Sequence, residues 1–134
     1  MSQENVEIVR ACFAAWSNQD LNALLEVMHP EVEFRTSGAF PDLDTSYHGH
    51  EGVRVFWNAM LAPWGSFRID VERIVEGNEC AAVAIRFRAK GKGSGVLTDL
   101  RQGHVARFTD GQIADHSAYA SWEEALEAAG LSEE

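Results

Sequence analysis

The stretch HVARFTDGQIADHSAY, residues 104–119, decides the fold. Two runs of alternating side chains flank Asp110-Gly111. That pair favours a two-residue turn, because a type I′ turn needs positive φ at both central positions. The reading is a β-hairpin in which Thr109 faces Gln112 and Phe108 faces Ile113. The two large apolar residues mark the buried face. Counting outward in twos, that face takes Ala106, His104 and Gln102 on one arm and Asp115, Ser117 and Tyr119 on the other. The opposite face takes Arg107, Val105, Ala114, His116 and Ala118. On this register Asp115 lies diagonal to His104, a separation long side chains bridge, and His116 points away. A three-residue loop with a bulge at Gly111 would shift the pairing.

Upstream of the hairpin arm, residues 67–76 and 79–89 alternate as strands around a Gly77-Asn78 turn. KGKGSG, residues 90–95, is a flexible turn rather than a phosphate loop, because it lacks the required spacing and opens no helix. Residues 96–108 form the long strand and 112–120 its partner. The N-terminal half is mostly helical. Val6, Val9, Phe13 and Trp16 recur at helical spacing over residues 4–18. Asp20 caps a second helix that buries Leu21, Leu24, Leu25 and Met28 and stops at Pro30. A short strand spans 31–36, and 37–49 is a loop long enough to be functional. A third helix, from about His50 to Leu61, buries Val53, Phe56, Trp57 and Met60. Ser121 and Glu124 form a capping box for a last helix, with Gly130 as its stop.

Strands joined by short turns pair antiparallel, and three helices must cover one face of the sheet. The expected fold is α+β: a cone-shaped curved antiparallel sheet packed against three N-terminal helices, as a single domain over residues 1–134. Its pocket lies between helices and sheet.

The 134 residues carry a formal net charge of -10, which argues against nucleic-acid partners. No apolar run is long enough for a membrane span, and the polar N-terminus is no secretory signal. Cys12 and Cys80 form neither a metal motif nor a disulfide framework, so a reducing cytoplasm is the expected compartment. His48-Gly49-His50-Glu51 fits no dedicated metal spacing and reads as a helix start, with His48 near the pocket mouth. Neither a metal nor another cofactor is expected.

Polar groups on the inner face of an apolar cone must bond one another, water or a ligand. Gln102, His104, Asp115, Ser117 and Tyr119 therefore mark a polar-ended pocket. Trp16, Phe34, Phe40, Trp57, Met60 and Phe87 are candidates for its apolar lining. Such a pocket suits a small apolar molecule.

The order AAWSNQDLNAL, HPEVEF, YHGHEGVRVFW, RFTDGQIADHSAY and SWEEALEAAGL resembles the nuclear transport factor 2-like superfamily, in its SnoaL-like, polyketide-cyclase-like branch, over nearly the whole chain. The resemblance implies a homodimer through the outer sheet face, here Val105, Ala114 and Ala118 among Arg86, Arg88 and Arg107. The known catalytic sets are broken. Where ketosteroid isomerases carry a tyrosine donor and an aspartate base, this chain has Cys12 and Phe34, and His104 stands at their second acid. Ser121 replaces the polyketide cyclases' aspartate. The aspartate-arginine-aspartate set of limonene epoxide hydrolases is absent, with Ala118 at the last position.

Three functions follow. One is acid-base chemistry on a small apolar, oxygenated substrate, such as isomerisation, cyclisation or hydrolysis. His104 would then be paired with Asp115, and Tyr119 or Gln102 would donate to a substrate oxygen. The others are a non-catalytic binder of a small apolar ligand and a dimeric accessory protein without a ligand.

Overall fold

The computed structural model describes residues 2–38 and 43–133, so Phe40 lies outside the described residues. Helices α1 (Ser2–Ser17) and α2 (Leu21–Val27) open the chain, and the Asp20 carboxylate accepts from the Ala23 N–H at 3.1 Å as the α2 cap. Strand β1 (Met28–Arg35) follows α2 directly. Pro30 therefore does not separate the two elements as expected. It sits inside β1, in the stretch between Met28 and Glu33 where the ladder is irregular, a position that spares a proline's missing donor. The Met28 carbonyl accepts instead from His50 Nε2 at 2.8 Å and from Gln112 Nε2 at 3.3 Å.

The expected loop at 37–49 contains a short strand, β2 (Ser46–His48), antiparallel to β1. Helix α3 (Gly49–Leu61) starts on a glycine at φ 68°, where a Cβ would meet the Pro30 carbonyl oxygen at 3.2 Å. Strands β3 (Trp64–Gly77), β4 (Cys80–Gly91), β5 (Leu97–Thr109) and β6 (Gln112–Tyr119) form an antiparallel meander, and α4 (Trp122–Ala129) ends the chain's regular structure. The six strands lie in the order β2-β1-β6-β5-β4-β3, and β1 runs parallel to β6. The fold is the expected α+β arrangement, a curved sheet with α1, α2 and α3 on its inner face.

The hairpin turn forms as read. Asp110 and Gly111 have φ 55° and 76°, Thr109 pairs with Gln112, and Phe108 pairs with Ile113. Beyond it the register departs from expectation. The next partners are Arg107 with Asp115, Ala106 with His116 and His104 with Ala118, so Ala114 is an extra residue in β6. This bulge reverses which side chains of β6 meet the inner face.

The outer face also differs from the expected dimer surface. Helix α4 lies on it so closely that a Cβ on Gly103 would meet Ala125 Cβ at 2.6 Å. Cys80, Ala82, Ala84, Val105 and Ala125 are all buried, which makes a second small apolar layer there. Ala118 lines the inner cavity instead. Arg86 and Arg88 are paired within the chain, to Asp99 and Asp70. Among the described residues no helix is long and apolar enough to cross a membrane.

Candidate functional site

The inner face of β5 brings Gln102 and His104 to the interior, because His104 stands opposite Val83 and Gln102 opposite Ile85, both core residues. The bulge at Ala114 then brings His116 to the same interior. Both imidazoles are buried, at 8% and 1% exposure, and His104 Nδ1 lies 2.8 Å from His116 Nε2. His104 Nε2 meets Gln102 Oε1 at 3.1 Å, and Gln102 Nε2 donates to Ser37 Oγ at 2.9 Å. Four polar side chains thus bond in series. Phe34 lies against the His116 ring at 4.7 Å between centroids, and Phe13 meets both imidazoles edge-on.

This series closes one end of a cavity of about 60 Å³. Apart from Thr36, whose hydroxyl donates to the Asp44 carbonyl at 2.8 Å, the remaining wall is apolar, with Phe13, Trp16, Phe34, Phe56, Met60 and Phe87 prominent in it. No carboxylate, lysine or arginine lines it among the described residues. An apolar cavity of about 150 Å³ takes benzene, so this one, in its present form, suits a smaller molecule.

Burial sets the protonation of the pair. Loss of water pushes His116 down to about 4, against a smaller opposing pull from Asp115. Burial, helped by the neighbouring His116, holds His104 well below the ordinary imidazole value. Both rings are therefore neutral at pH 7, and each has one donor and one acceptor nitrogen. Their mutual bond and the His104–Gln102 bond use three of the four. The fourth, His116 Nδ1, is buried and has no partner among the described residues.

Asp115 does not face His104. It lies on the outer face, where Arg35 Nη1 donates to Oδ2 and Ser117 Oγ donates to Oδ1 at 3.0 Å. The same pairing raises the Arg35 guanidinium further above its ordinary range. Ser117 and Tyr119 follow Asp115 to that side, and neither lines the cavity. Of the expected lining, Trp16, Phe34, Met60, Phe87 and Gln102 are in place. Trp57 sits behind it, stacked on Trp16 at 4.5 Å. His48 is not at the pocket mouth. It is exposed beside Glu33 and Glu31, and chiefly Glu33 raises its pKa.

The residue the sequence reading missed is His116. A usable signal was present. An unbulged hairpin sets Asp115 opposite Ala106 on the buried face, and an isolated carboxylate there is far costlier than a neutral imidazole. The bulged register sets Asp115 opposite Arg107 instead.

Residues 9–116 match the family model for the SnoaL-like domain. No curated protein matches. Among solved structures, an NTF2-like protein of unknown function from Burkholderia pseudomallei superposes with TM-score 0.80 at 24% identity, over 92% of this chain and 95% of that one. A protein of Jannaschia sp. CCS1 named for SnoaL-like polyketide cyclases gives 0.77 at 19%, over 94% and 91%. RV0760c of Mycobacterium tuberculosis, in complex with estradiol-17beta-hemisuccinate, gives 0.74 at 15%, over 87% and 92%. At these identities the structures establish the fold, and the family match over 9–116 establishes that the chain belongs to the SnoaL-like domain family.

Proposed function

We propose that this chain binds a small, uncharged, mainly apolar molecule with one polar end, held in the cavity against the Gln102–His104–His116 series. The observation that carries this reading is a set of buried, mutually bonded polar side chains at one end of an otherwise apolar cavity. Polar groups are costly to bury, and an apolar filler would have served a purely structural core better. No charged side chain lines the cavity among the described residues, so desolvation disfavours a permanently ionised ligand there. Relatives crystallised with small molecules, estradiol-17beta-hemisuccinate and polyporic acid, support the same class of role. The cavity here suits a smaller molecule than a steroid. Free, buried Cys12 and Cys80 fit a reducing cytoplasm as its setting.

The test is crystallographic: pressurise crystals with xenon and soak others with small ketones and alcohols. Density between Met60 and His116 supports the reading. A cavity that stays empty of every probe sinks it.

Proton transfer by the two histidines is the second reading. A neutral imidazole titrating at about 4 has a basicity close to that of the carboxylate bases of ketosteroid isomerisation, roughly 4.6. Its test is hydrogen-deuterium exchange at the α-carbons of a bound ketone, in the protein and in His116→Phe. Equal exchange in both removes the histidine from any such chemistry.

A further inference from the structure

The four-membered series has a direction, and that direction fixes what the cavity offers a ligand. Two arrangements of protons satisfy the internal bonds. In one, His116 Nε2–H donates to His104 Nδ1, His104 Nε2–H donates to Gln102 Oε1, and the Gln102 amide donates to Ser37 Oγ. In the other, the amide is turned over and every bond reverses. The two differ at the end of the series, His116 Nδ1, which is buried without a partner among the described residues. The first leaves a bare lone pair there. The second leaves an unmet N–H, and buried donors without acceptors are the rarer and costlier case. The first arrangement therefore holds, with both histidines carrying their proton on Nε2.

The donor capacity of Gln102 follows. Its amide nitrogen has two N–H bonds, and Ser37 uses one of them. Both His104 nitrogens are already engaged, one by His116 and one by Gln102. Of the residues in the series that line the cavity, only Gln102 has an unused N–H. We propose that Gln102 is the ligand-contacting, specificity-determining residue, donating this N–H to a carbonyl or ether oxygen, and that His104 and His116 are positioning residues that hold its amide in the donating orientation. The ligand class is then a small neutral molecule with a hydrogen-bond-accepting oxygen. This rests on the cavity reading above.

Acetone and 2-methylpropene test it, because they share shape and differ only in carbonyl oxygen against methylene. Each is titrated by NMR into the protein and into Gln102→Leu. Comparing one probe across two proteins cancels its own hydration. The expected result is acetone binding weakened about five- to tenfold in Gln102→Leu, with 2-methylpropene unchanged or tighter. Equal weakening of both probes, or no weakening of acetone, overturns the inference and leaves the cavity reading standing. Failure of both probes to bind the unsubstituted protein overturns the cavity reading itself. Long-range 15N–1H spectra of the unsubstituted protein give a check that needs no variant. Both buried histidines should appear as Nε2–H tautomers, and a Gln102 side-chain N–H should shift on adding acetone. An Nδ1–H tautomer at either histidine overturns the assigned direction. In His104→Phe the amide remains but its Oε1 loses the N–H donor that fixes it, so acetone discrimination should fall towards that of Gln102→Leu. Retained discrimination there removes the positioning role.

Discussion

His104 Nδ1 and His116 Nε2 stand 2.8 Å apart with both rings buried, although the two residues lie on opposite arms of one hairpin. The extra residue at Ala114 turns His116 to the same face as His104. Two imidazoles this close cannot both be charged, and with both rings buried neither is charged at pH 7.

The pair makes stability depend on pH. The unfolded chain binds protons at these histidines near 6.5, and the folded chain does so at His116 only near 4. Between those values the unfolded state holds more protons, so stability rises with pH. The protein should lose roughly 3 kcal/mol through His116 as pH falls from about 6.5 to about 4. Urea unfolding across that window measures it, and His116→Phe should flatten the slope. An equal slope in the variant refutes the assignment.

Breaking the pair should cost more than removing it. His104→Leu leaves His116 Nε2–H and Gln102 Oε1 unmet, at about 1–3 kcal/mol each. The double variant His104→Leu, His116→Leu removes one orphan with its partner. A double-mutant cycle should give a coupling of about 1–3 kcal/mol, and additivity would show that the rings do not interact.

Asp115→Asn should leave the cavity histidines on the same nitrogens and lower His116 slightly, since Asp115 acts on it only as a nearby charge. Stability should drop by under about 1 kcal/mol, the scale of a partly exposed ion pair with Arg35. Histidine NMR of the variant tests the bulge directly. A large change at His104 would mean that Asp115 faces it after all.

Gly103→Ala should destabilise by about 1–3 kcal/mol, because the new Cβ would press Ala125 Cβ and the Ser121 carbonyl oxygen, each at 2.6 Å. The strain falls on α4 and not on the cavity. Xenon binding should therefore survive in the variant while its melting temperature falls.

Ala118→Val should shrink the cavity from the sheet side, since Ala118 is part of its wall. Acetone binding should weaken at least tenfold with the fold retained. Unchanged affinity would place the ligand elsewhere.

Much of this architecture was legible because it rests on local chemistry. Positive φ at Asp110-Gly111 fixed the turn, and with it the inward set Gln102, His104, Ala106 and Phe108 on β5. Helical spacing marked α1 and α3, and Ser121 with Gly130 bracketed α4. The site's other half was not legible in the same way. Arg35, which pairs with Asp115, lies 80 residues away, on a strand whose parallel docking against β6 no short-range rule anticipates.

The sequence by itself determined the elements, the turn and the apolar faces, since each depends on neighbours a few residues apart. Tertiary structure decided which of Asp115 and His116 faces inward. The hairpin admits either register. Arg35 arriving from β1, Arg107 opposite, and an apolar core that tolerates a neutral imidazole but not a carboxylate choose the bulged one.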